Sequence, residues 1–85
     1  MNRIDWTPKA AKQLRKLQKG VQVDIRDAVQ DKLPRFPKCS GVKALVNHPH
    51  GYRLRVGNYR VLFNFEGSIT LVRIEEVGKR DERTY

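Results

Sequence analysis

The sequence predicts an α+β fold in the order β-α-α-β-β-β, with a helical hairpin packed on one face of a small, mostly antiparallel sheet. Three observations carry that prediction. Residues 51–65, GYRLRVGNYRVLFNF, alternate apolar and polar side chains about a central Gly57-Asn58 pair, the pattern of two strands joined by a two-residue turn. Upstream, apolar residues recur at spacings of three and four over two stretches, which is helical periodicity. Downstream, residues 69–74, ITLVRI, place apolar side chains on both faces, as a central strand with two covered faces requires.

The elements follow in order. Arg3, Ile4, Asp5 and Trp6 alternate and supply a first strand. Thr7 offers a capping oxygen and Pro8 fits the first helical position, where no N–H is needed. Ala11, Leu14 and Leu17, flanked by Ala10, then mark the inner side of a helix that Gly20 is expected to stop. A second helix starts at Val21, buries Val21, Ile25, Ala28, Val29 and Leu33, and ends at Pro34 and Pro37. Phe36 is placed to cap its end. Residues 35–50 hold Pro37, Gly41 and Pro49 and read as a connector, with residues 42–46 offering a brief extended piece. With Gly57 at the first position of a type II′ turn, Val56 faces Tyr59, Arg55 faces Arg60, Leu54 faces Val61 and Arg53 faces Leu62. Tyr52, Leu54, Val56, Tyr59, Val61 and Phe63 then share the face that meets the helices, and Trp6, Phe63 and Phe65 join the core. Residues 66–68 make a second turn, 69–74 the third hairpin-linked strand, and Gly78 is expected to end regular structure.

Length and composition bound the rest. Eighty-five residues make one small domain, 1–85, with no room for a second. Eighteen Lys and Arg against nine Asp and Glu give a formal charge of +9, which favours nucleic acid or an acidic protein as partner. Lone Cys39 cannot form an internal disulfide, and no apolar stretch suits a signal peptide or a membrane span, so a cytoplasmic location is expected.

Arg53, Arg55 and Arg60 fall on the uncovered face of the hairpin. Like charges directly opposite in a sheet cost about 0.2–1 kcal/mol, and such local violations tend to mark functional sites. With no carboxylate on that hairpin face, the guanidiniums suit a phosphate better than an ion-pair network; the plain alternative is a solvated face. Arg80, just past Gly78, can fold back towards them, and Tyr85 can stack on a base or exchange a proton. Lys9, Lys12, Arg15 and Lys16 on the first helix, with Lys43, Lys79 and Arg83, are candidate RNA contacts. His48 and His50 flank Pro49 and read as exposed loop residues. Neither an acidic residue nor a second thiol lies near them in the chain, so no metal site is expected. Cys39 has no nearby His and reads as incidental.

These residues also carry a family resemblance. Trp6 before a helical hairpin with Leu14 and Leu17, the GYRLR of residues 51–55 followed by NYRV at 58–61, and VGKR at 77–80 with a closing Tyr85 resemble the RelE/ParE superfamily of bacterial toxin-antitoxin toxins. The tail looks closest to the RelE branch. That resemblance implies a RelE-like domain and a ribosome-dependent endoribonuclease. It would cleave mRNA in the A site by 2′-hydroxyl attack on the adjacent phosphate, without a metal or other cofactor. It implies a cognate antitoxin, in a heterotetramer or larger complex, and the ribosome with its mRNA as partners; no membrane is implied. By position, Arg53 and Arg55 stand where the family commonly has lysines, Arg60 at its phosphate-binding arginine, Arg80 at its leaving-group partner and Tyr85 at its stacking tyrosine. Arginine stays protonated in proteins, so the proton acceptor is expected to be Tyr85 or solvent rather than Arg55. The end at Tyr85 leaves out the further C-terminal helix of some relatives, and regulation through such a helix is not expected. A ParE-like DNA gyrase inhibitor and a non-catalytic basic RNA-binding module are the competing functional readings.

Overall fold

The structure, a computed structural model, describes residues 1–79. Five strands form one sheet: β1 (Arg3–Trp6), β2 (Val42–Ala44), β3 (Tyr52–Val56), β4 (Tyr59–Glu66) and β5 (Leu71–Lys79), in the order β1-β5-β4-β3-β2. Only the β1–β5 pair is parallel. Two helices, α1 (Pro8–Arg15) and α2 (Lys19–Lys32), lie between β1 and β2 in the chain. No helix among the described residues is long and apolar enough to cross a membrane.

Thr7 caps α1 as expected, its Oγ1 accepting the Ala10 N–H at 3.1 Å. The helix ends four residues sooner than Gly20 would stop it. Lys16 closes it, and Gln22 Nε2 donates to the Leu17 carbonyl at 2.7 Å and the Arg15 carbonyl at 3.3 Å. Those bonds satisfy groups that a helix end leaves open. Gly20 therefore sits in the first turn of α2, where its lack of a side chain does little harm, and it does not act as a stop. Ile25, Val29 and Leu33 of α2 and the following 3-10 turn, Leu33–Arg35, are fully buried against Leu54, Val61, Phe63, Val72 and Ile74. Phe36 closes that end of the core edge-on to Tyr52, Phe63 and Phe65, with ring centroids 4.8, 5.3 and 5.0 Å away. Such pairs add about 0.5–1.5 kcal/mol each beyond area burial.

The hairpin register agrees pair for pair with the sequence reading, from Val56 opposite Tyr59 to Arg53 opposite Leu62. Gly57 has φ of 57° and Asn58 does not share the positive φ, as a type II′ turn demands. The brief extended piece at 42–46 is β2, pairing Val42 with Leu54 and Lys43 with Arg53.

The third hairpin-linked strand departs from expectation at both ends. Ile69 belongs to a 3-10 turn, Gly67–Ile69, and the strand runs from Leu71 through Gly78 to Lys79. Gly78 does not end the regular part, because its backbone pairs with Arg60. Inside the strand Leu62 faces Glu76 while Phe63 faces Ile74, so Glu75 is an extra, bulged residue. A bulge re-aims side chains: Ile74 and Val77 both point into the core, and Glu75 and Glu76 are both left half-buried outside it.

After β1, the Thr7 N–H still bonds the Ile74 carbonyl at 3.1 Å, and α1 then runs beside β5. The β5 N–H of Val77, beyond the reach of β1, is taken by Gln13 Oε1 at 2.8 Å. This placement brings the first turn of α1 to the rim of the open face.

Candidate functional site

Register fixes what shares the open face. One row across the sheet runs Lys43, Arg53, Leu62, Glu76, and the next runs Arg55, Arg60, Gly78. The three arginines are therefore neighbours. Their exposures differ sharply: Arg55 is exposed, Arg53 is half-buried and Arg60 is buried, with 2% of its surface accessible. The β5 residue directly opposite Arg60 is Gly78, which carries no side chain. Arg53 Nε is buried without a hydrogen-bond partner among the described residues, and a desolvated donor of this kind is costly unless an anion meets it.

Carboxylates are closer than expected. The hairpin face itself has none, but the bulge delivers Glu75 and Glu76 to the same side of the sheet. Glu76 Oε2 lies 3.0 Å from His50 Nε2 and 3.7 Å from Lys9 Nζ. His50 is thus neither an exposed loop residue nor far from acid, since 18% of its side chain is accessible and its partner is 26 positions away in the chain. His48 packs beside it, ring centroids 5.7 Å apart, with Nδ1 accepting the His50 backbone N–H at 3.1 Å.

Asn64 ties this cluster together. Its Oδ1 accepts the Gly51 N–H at 2.8 Å, which leaves Nδ2 facing Glu75 Oε2 at 3.1 Å and His50 Nδ1 at 3.4 Å. An amide nitrogen can only donate, so this geometry suits the His50 tautomer in which Nδ1 accepts and Nε2–H points at Glu76. Leu62 lies in the row between Arg53 and Glu76 and is fully buried although it is not part of the helix-side core. Among the described residues no group of three or more His, Cys, Asp or Glu is arranged to hold a metal ion.

The other candidate residues divide. Lys9, Lys12 and Lys16 are exposed and follow one ridge of α1, and Lys9 joins that ridge to the open face through Glu76. Lys43 stands beside Arg53. Arg15 is elsewhere, lining a depression with Trp6, Ala11, Leu14 and Arg26. Lys79 pairs with Tyr59, which puts it in the register of the helix-covered face and away from the arginines. Arg80, Arg83 and Tyr85 lie outside the described residues.

Sequence reading missed His50, Asn64, Glu75 and Glu76. One signal was present: the apolar positions Val72, Ile74 and Val77 change spacing from two to three, which is what a bulge does to a strand pattern. It leaves two adjacent glutamates on the open side.

Comparison with known proteins finds the same fold in bacterial and archaeal toxins. The fold matches a chain of the toxin-antitoxin complex RelBE2 from Mycobacterium tuberculosis, at a TM-score of 0.82 and 26% identity over 93% of this chain and 98% of that one. It also matches the isolated RelE toxin of E. coli, at a TM-score of 0.78 and 20% identity over 96% and 87% of the two chains. A third match, the archaeal RelE-RelB complex of Pyrococcus horikoshii OT3, has a TM-score of 0.68 and 22% identity over 95% and 97%. No curated protein matches the sequence. A RelE-like toxin fold is the class these matches define. The family described as "ParE toxin of type II toxin-antitoxin system, parDE" matches residues 4–84, and the chain belongs to that family within the RelE/ParE superfamily.

Proposed function

We propose that this type II toxin is a ribosome-dependent endoribonuclease that cleaves mRNA in the A site by 2′-hydroxyl attack, acting in the cytoplasm as one domain, 1–85, without a metal. The observation that carries the reading is the clustering of Arg53, Arg55 and Arg60 on the uncovered face, with the Arg53 Nε buried and unmatched among the described residues. Attack on a phosphodiester builds negative charge on the equatorial oxygens, and preorganised guanidiniums stabilise that charge more in the transition state than in the ground state. Arg80 serves the departing oxygen and Tyr85 stacks on a base. The ridge of Lys9, Lys12 and Lys16, with Lys43 and Arg83, tracks the RNA backbone. The position of Lys79 favours a different role for that residue.

The RelBE2 chain and the Pyrococcus RelE both come from toxin-antitoxin complexes, which supports a cognate antitoxin as partner here. Its assembly with the toxin would be a heterotetramer or larger, and an acidic segment would suit the basic face of a +9 chain.

The family match favours one second reading, a ParE-like inhibitor of DNA gyrase. Inducing the chain in cells and mapping mRNA 5′ ends separates the two, with Arg60→Lys and a deletion of Tyr85 as controls. New codon-phased ends that disappear in both variants are the expected result. Intact mRNA together with inhibited supercoiling would select the gyrase reading instead.

A further inference from the structure

The proposed reaction needs a group to take the 2′-hydroxyl proton, and arginine, always protonated, cannot be that group. The open face holds a better one. In the tautomer that suits its neighbours, His50 Nε2–H donates to Glu76 Oε2 at 3.0 Å, and among the described residues its Nδ1 has just a long 3.4 Å approach from Asn64 Nδ2. Asn64 Nδ2 has a shorter bond of its own, 3.1 Å to Glu75 Oε2, so it can release Nδ1 without being stranded. A carboxylate holding one imidazole nitrogen and leaving the other as acceptor is the arrangement of a histidine base and its orienting acid.

We infer that His50 is the general base of the cleavage reaction, with Glu76 as its positioning residue; this rests on the ribonuclease reading above. Glu76 stands in the row of Arg53, separated from it by Leu62 alone, and neighbouring strands are about 4.8 Å apart. Register puts Arg53 and Glu76 two strand spacings, about 10 Å, apart on the open face; in the inferred complex a phosphate sits on Arg53 and Arg60 with its adjoining ribose turned towards His50. Nδ1 takes the 2′-hydroxyl proton as the 2′-oxygen bonds to phosphorus. The bond from phosphorus to the 5′-oxygen breaks, and that oxygen leaves with the electron pair and takes a proton from solvent. The products are a 2′,3′-cyclic phosphate and a 5′-hydroxyl. The imidazolium left behind is stabilised by Glu76, which also meets Lys9, while Asn64 beside it bonds Glu75.

Single-turnover cleavage of mRNA on programmed ribosomes tests this. His50→Gln should lower the rate about a hundredfold, the low end of what a positioned base supplies. Imidazole added to His50→Ala should restore cleavage, and more basic methylimidazoles should restore more. Glu76→Gln should lower the rate by at least about tenfold, because the carboxylate that orients a histidine base also holds its tautomer and stabilises its imidazolium. Thermal melting of each variant identifies any that lose the fold, and a folded Glu76→Gln with the wild-type rate overturns the inference even if His50 variants unfold. His50→Gln cleaving within twofold of wild type also overturns it. If wild type cleaves nothing, the ribonuclease reading fails and takes this one with it. If wild type cleaves, Arg60→Lys does not and His50→Gln does, only the assignment of the base is wrong.

Discussion

The two faces of β4 are built by different physics. On the helix side, Val61 and Phe63 are fully buried among Ile25, Val29, Leu54 and Ile74, and apolar burial has no direction to satisfy. On the open side, Arg60, Leu62 and Asn64 are flanked by groups that must meet at hydrogen-bond distance, such as Asn64 with Gly51, Glu75 and His50. The first face holds the core that folds the chain, and the second holds the residues proposed to act. Leu62 crosses the division, being buried on the side proposed to carry the chemistry.

Substitutions on one face should leave the property of the other intact. Phe63→Ala removes the largest fully buried side chain of the core and should cost about 3–5 kcal/mol of stability, read as a fall in the denaturant midpoint, while any surviving folded fraction keeps its cleavage pattern. Arg55→Ala is the converse. The side chain is exposed, so the midpoint should hold within about 0.5 kcal/mol, while ribosomal cleavage falls about a hundredfold, the scale of one lost transition-state donor. Leu62→Ala should do both, lowering stability by about 2 kcal/mol and slowing cleavage by loosening Arg53 and Glu76. A stability loss alone would make Leu62 an ordinary core residue. Gln13→Ala has the smallest expected effect, about 1 kcal/mol for one buried backbone N–H left without its acceptor, measurable as faster amide exchange at Val77.

Much of the covered face was legible in the sequence because its determinants are local. Gly57-Asn58 fixes the hairpin, and a fixed turn leaves the register no freedom, so every pair from Val56–Tyr59 to Arg53–Leu62 could be read. Thr7 and Pro8 likewise announce the start of α1. The misreadings concern residues whose meaning is set at a distance. Gly20 suggests a stop, but the turn is made earlier, by Lys16 and a side chain from Gln22. Gly78 suggests an end, yet Arg60 in β4 supplies it with a ladder partner. His50 and Glu76 lie 26 positions apart, and neither residue is unusual in its own neighbourhood. Only the bulge at Glu75 turns the carboxylate towards the imidazole.

The Gln13 bond to Val77 has a further consequence for the life of the protein before it meets any partner. A strand of nine residues with an open flank is a template on which other chains can add and aggregate. Here β1 occupies the first half of that flank and a helix with a glutamine reaching into the ladder closes part of the second. The opposite rim of the sheet is the three-residue β2, with a lysine at its centre. Short rims and a charged edge discourage chains from zipping together, so copies of this protein have little bare strand on which to add to one another.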